Sequence, residues 1–120
     1  MSDAQQLTKG IASHGMWKQR LIDTIKSGKS DWKPEIVCKD NQCEFGKWLY
    51  SCSAQDKASA HYRNVRALHT DFHKNAANVL ELALKNKQAE AESAIQHGSK
   101  YASTSSDLTK AMMNWKKELS

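Results

Sequence analysis

No stretch of this chain alternates Val, Ile or Thr with polar residues, and proline occurs once, at position 34, in 120 residues. A half-buried strand needs that alternation, so a β-sheet has nothing to be built from. No run of 18 apolar residues exists, which excludes a membrane-spanning helix. The first residues, "MSDAQQLTKGIASHG", have neither a basic nor an apolar signal region, so no signal peptide is expected. Cysteine is scarce and odd in number, at three. Without an export signal these thiols are expected to be reduced in a cytoplasm, where cysteine serves more often as ligand or redox centre than as staple. The net charge is +5, yet no run of Lys and Arg exceeds two residues. Such scattered charge describes a solvated surface, not a nucleic-acid or lipid footprint, so neither nucleic acid nor membrane is expected as a partner. A glycine loop to cradle phosphate, a Ser/His/Asp set and paired inward carboxylates are all missing, so no enzymatic activity is expected.

What is abundant is Ala, Leu, Lys, Gln and Glu, the composition of an all-α protein. With 39% hydrophobic residues, a chain of this length can bury a packed core, and residues 1–120 are read as one domain. Apolar spacing predicts a first long helix over about residues 4–27, through Leu7, Ile11, Leu21 and Ile25. His14, Trp17 and Ile22 lie on the same side. Gly28 and Pro34 end it and leave a loop over 28–40. A short helix follows from near "DNQC", with Asp40 or Asn41 expected as its cap and Cys43 in or just inside the first turn. It carries Phe45, Trp48 and Leu49 and fades near residues 51–53. A second long helix is expected over about 55–85 and a third over about 88–118, separated by "KNKQ". The last of these should bury Met112, Trp115 and Leu119. Three long helices and one short one predict an antiparallel four-helix bundle.

Placed on these helices, His14, His69 and His73 fall inside apolar stripes. His69 and His73 are four apart, so both imidazoles can reach one ion. Taken singly, an inward histidine is usually a hydrogen-bonded core residue, and H-x-x-x-H is a common chance pattern. Three inward histidines without buried carboxylates, however, carry a large desolvation cost that one shared cation removes. Zinc is commonly four-coordinate and accepts imidazole nitrogen and thiolate, which leaves one place for a cysteine. Cys43 opens the segment "CEFGKWLY" at a helix N-terminus, where the backbone dipole favours thiolate. Phe45, Trp48 and Leu49 can anchor that turn, and Gly46 permits close approach of another segment. Cys38 and Cys52 flank the short helix and are less well placed, and His61 and His97 lie off the stripes. Trp17, Trp48 and Trp115 read as core, and Trp32 lies in the loop.

The segments "SHGMWK", "CEFGKWL" and "ALHTDFH" together resemble the chemoreceptor zinc-binding (CZB) domain family. The resemblance assigns the zinc-ligand places to His14, Cys43, His69 and His73; Trp17, Phe45, Gly46, Trp48 and Phe72 are expected to support them from the core. It implies a four-helix bundle, a three-His one-Cys zinc site, a symmetric homodimer and a cytoplasmic bacterial sensor. Such a sensor is attached to or acts on chemoreceptors or diguanylate cyclases. Residues 1–120 contain neither a methyl-accepting helix nor a cyclase domain, so the chain is expected to be either a stand-alone or an excised CZB domain. The expected function is a regulatory zinc sensor responding to zinc or to oxidation of the Cys43 thiolate, a candidate redox switch. The alternatives are a hemerythrin-like metal bundle, which would need carboxylates such as Asp71 or Glu81 beside the histidines, and a metal-free interaction bundle. Leu82, Leu84 and Met113 are apolar positions off the main faces, consistent with a dimer contact.

Overall fold

The structure, a computed structural model, describes residues 3–119. Among these residues it is all-helical. The elements are α1 (Asp3–Gly15), α2 (Trp17–Ser27), α3 (Pro34–Val37), α4 (Glu44–Ser51), α5 (Ala54–Lys57), α6 (Ala60–Leu84), α7 (Gln88–Ile95) and α8 (Lys100–Leu119). The molecule measures 45 × 25 × 19 Å along its principal axes. None of these helices is long and apolar enough to cross a membrane.

The first long helix is interrupted: α1 ends at Gly15, and α2 resumes at Trp17 after Met16, whose backbone stays near helical angles. Gly15 is a weak helix former, so the hydrogen-bond ladder gives way there. The second piece ends as its sequence indicates. Gly28 adopts φ 73° and returns its N–H to the Thr24 carbonyl at 2.7 Å. That left-handed conformation carries no steric cost in glycine. Pro34 occupies the first turn of α3, where a missing N–H is harmless, so part of the expected loop is helical.

The helix expected over 55–85 begins later, at Ala60. Ser59 caps it, accepting from the Tyr62 N–H, and the preceding residues form the separate turn α5. The helix expected over 88–118 is also divided. Its two pieces flank residues 96–99, where Gly98 sits at φ 89°. Leu119, expected inward, is exposed at the end of α8, whereas Met112 and Trp115 are buried.

The long helix α6 is the central element. It packs against α2, α3, α4, α5, α7 and α8, while α1 lies on α8 and α4. Its face buries Tyr62, Val65, Phe72, Ala76, Val79 and Leu80 against Leu7, Leu21, Leu49, Leu108 and Met112. Each such large aliphatic or aromatic side chain contributes about 1.5–3 kcal/mol on leaving water. Leu82 and Leu84 pack partly against this core, so of the expected off-face apolar residues only Met113 is largely exposed. The histidines at positions 69 and 73 therefore sit on the best-supported helix of the fold.

Candidate metal centre

Cys43 is itself the cap of α4. Its backbone is extended (φ −82°, ψ 158°), and its Sγ accepts the Gly46 N–H at 3.3 Å. The expected caps do other work. The Asp40 carboxylate accepts from the Tyr50 hydroxyl at 2.9 Å and from the Thr70 hydroxyl, which ties the segment before Cys43 to α4 and α6. Gly46 is required by space. A Cβ at this position would fall 1.7 Å from the Asp40 carbonyl oxygen and 3.2 Å from His69 Cε1. Only hydrogen at residue 46 lets the loop and the His69 ring meet over the first turn of α4.

The four expected side chains converge. His69 Nε2 lies 3.0 Å from His14 Nε2 and 3.1 Å from His73 Nε2. Cys43 Sγ lies 3.4 Å from His69 Nε2, 3.5 Å from His73 Nε2 and 4.0 Å from His14 Nε2. One ligand atom from each residue fits within a mutual separation of 4.8 Å. Tetrahedral zinc, with Zn–N ~2.05 Å and Zn–S ~2.3 Å, sets its ligands about 3.3 Å apart for N···N and about 3.6 Å for N···S. The donor set fits that ion, and the five close separations lie within about 0.4 Å of these values; the His14–His73 pair, in a cluster that spans up to 4.8 Å, would draw together on binding.

The hydrogen bonds behind the rings strengthen the fit. His14 Nδ1 donates to the Gly10 carbonyl at 2.6 Å, and His73 Nδ1 to the Val37 carbonyl at 2.9 Å. A carbonyl cannot donate, so a neutral ring in either place must carry its proton on Nδ1 and its lone pair on Nε2. Both lone pairs then aim at the same point as the sulfur. His69 Nδ1 is buried with no partner. The rings are neutral. Burial pushes His69 down to about 2, with His14 and His73 adding to the effect. Burial also lowers His14 to about 4 against the opposing Gly10 carbonyl bond, and lowers His73 against the Val37 bond. The dipole argument for Cys43 is only part of the balance. The N–H groups of Gly46 and Phe45 pull its pKa down, but burial outweighs them and leaves it raised. A metal ion reverses that, because a coordinated thiol is deprotonated.

The supporting aromatics divide. Phe45 lies edge-on to His14 and His69 at 5.6 and 5.3 Å, and Phe72 to His14 and His73 at 5.2 and 5.8 Å. Trp48 meets Phe45 at 5.5 Å and Trp115 at 5.5 Å, tilted against both. Trp17 packs instead against Trp32. The other candidates stay outside the cluster. Cys38 is exposed, Cys52 is half-buried and bonds to the Trp48 carbonyl, His61 pairs with Glu118, and His97 is exposed. Asp71 and Glu81 are also exposed, so neither supplies the carboxylate that a hemerythrin-like site needs. The Gly10 and Val37 carbonyls went unseen in the sequence. Gly10 stands four residues before His14, a spacing that could have indicated it; for Val37, reached across a loop, no local signal exists.

The chain matches the sequence model of the chemoreceptor zinc-binding domain over residues 14–80, a span that begins at His14 and contains Cys43, His69 and His73. The chain belongs to the CZB family. Comparison with curated proteins and with solved structures gives no match. The CZB family is a zinc-binding one by description, and the three-His one-Cys cluster of this member could hold a metal ion.

Proposed function

We propose that His14, Cys43, His69 and His73 hold one zinc ion and that the chain is a regulatory, non-enzymatic module of cytoplasmic bacterial signalling. The observation that carries this reading is the convergence of the three Nε2 atoms and one sulfur, with two rings locked by backbone carbonyls so that their lone pairs face each other. Four protein ligands fill a tetrahedral ion and leave no open position for substrate, which favours a sensor over a catalyst. The helices are read as the family's antiparallel four-helix bundle, with α1–α2 and α7–α8 each counted as one interrupted helix. The reading extends to a homodimer acting on a chemoreceptor or a diguanylate cyclase; the family is named for chemoreceptors, and exposed Met113 is available to a partner.

The switch element is the segment carrying Cys43. Three ligands ride on α1 and α6, whereas Cys43 sits between a loop and the eight-residue α4. Local opening costs least where few buried contacts hold the backbone. Loss of the sulfur ligand, by zinc depletion or by oxidation of the thiolate, should release residues 38–53 and leave α6 in place. Hydrogen exchange on zinc-loaded and chelator-treated protein tests this. Faster exchange confined to that segment is expected; uniform acceleration would make the metal a global staple, and no difference would remove the switch.

A further inference from the structure

Beside the metal centre lies a cleft of about 560 Å³ that the zinc reading does not use. It runs between the α1–α2 junction and the 32–43 segment. Its lining includes His14, Cys43 and His73 of the metal centre and the apolar Ile36, Val37 and Phe45. In its lining the buried Trp17 and the exposed Trp32 meet edge to face at 5.0 Å. The Arg20 guanidinium lies over both, 5.0 Å from the Trp17 ring and 4.7 Å from the Trp32 ring. Lys39 also lines it, and Glu44 is the acidic residue in the lining.

Arg20 is half-buried and, among the described residues, forms no ion pair with a carboxylate. Its face is occupied by indole, while its N–H edges are left to donate. A guanidinium in that setting presents a planar fork of donors matched to a carboxylate. Trp32 and Ile36 are each 44% exposed and both line this cleft, so their apolar surface is open to a ligand. Apolar walls, two indoles and a guanidinium suit a ligand with an apolar body and one anionic head, and the planar fork of Arg20 matches a carboxylate.

We propose that this cleft binds a small amphipathic carboxylate, an aromatic or branched-chain monoacid, with its apolar body on Trp32 and Ile36 and its carboxylate on Arg20. A ligand there would touch the segment that carries Cys43, so its binding and that of the metal would be linked. The site itself does not depend on zinc being the metal held.

The test uses naphthalene-2-carboxylate and its neutral amide as probes on the whole chain, followed by calorimetry and by the indole N–H signals of Trp17 and Trp32. The acid should bind at least about tenfold tighter than the amide, since a charge-assisted bond is lost with the charge. It should shift both indole signals. Arg20→Gln should remove that preference, and Trp32→Ala should weaken acid and amide alike. Both side chains reach solvent, so these variants should fold, and unchanged zinc content separates a failure of the cleft from a failure of the metal assignment. Equal affinity for acid and amide, or an acid preference that survives Arg20→Gln, would overturn the proposal. Burial of Trp32 on self-association, with no response to either probe, would assign the cleft to a second copy of the chain and overturn it equally.

Discussion

Gly46→Ala is the smallest change that should dismantle the metal centre without touching a ligand. The added methyl would meet the Asp40 carbonyl at 1.7 Å, far inside any tolerated contact, so that carbonyl must retreat by roughly 1.3 Å or more. The neighbour is backbone, not the end of a flexible side chain. Its residue is also pinned by the Tyr50 and Thr70 hydroxyls, and Val37, three positions earlier, is held by His73. The strain therefore belongs at the upper end of overpacking, about 3 kcal/mol. Unfolding entropy of about 2.1 cal/mol/K per residue gives about 0.25 kcal/mol/K for this chain, so the melting temperature should fall by about 12 °C. Displacing the 38–43 loop by even about 1 Å would also carry Cys43 Sγ out of coordination range, where distances hold to about 0.2 Å. Zinc content should fall with it. Gly15→Ala is the control: nothing lies within 4 Å of the added methyl, and alanine is the better helix former, so that variant should melt at or slightly above the wild-type temperature. Circular dichroism melting with elemental analysis reads both. A Gly46→Ala protein with unaltered melting and full zinc would refute the close approach on which the reasoning rests.

Metal-free protein should lose stability as pH falls from about 6.5 toward 4. The folded-state pKa values of His69 and His14, about 2 and about 4, lie below the ordinary 6.5, so the unfolded chain binds more protons across that window and acid favours it. Urea unfolding at several pH values checks the sign; a stability that rises on acidification would contradict the burial of these rings. Asp40→Ala removes the acceptor shared by Tyr50 and Thr70 and should cost about 1–3 kcal/mol, with zinc affinity down by about tenfold because Cys43 is then less firmly placed. Competition with a chromophoric chelator reads the affinity, and an unchanged value would show that the loop is held without Asp40.

The all-helical class and the four side chains that converge were legible because much of each rests on local regularities. The i, i+4 spacing of His69 and His73 on an apolar stripe survives any detail of helix ends. The interruptions at residue 16 and at 96–99 were not legible. Apolar periodicity runs on across both, while the breaks depend on Gly15 and on the left-handed Gly98. The capping of α4 shows the same limit. Asp40 has the better intrinsic cap chemistry, but the helix starts later, at Glu44, so the cap falls to the sulfur of Cys43, while Thr70 and Tyr50, distant in sequence, donate to the Asp40 carboxylate. The exposed end at Leu119 is a plain case of periodicity outrunning the core.

The central claim is that His14, Cys43, His69 and His73 share one zinc ion. It is tested most directly by elemental analysis of protein purified without added metal and dialysed against a weak chelator. The wild type should carry about one zinc per chain. Cys43→Ala, His69→Ala and His73→Ala should each lose most of it while remaining helical, and Cys38→Ser and Cys52→Ser should keep it. Full zinc in the ligand variants, or loss confined to the Cys38 or Cys52 variants, would contradict the assignment.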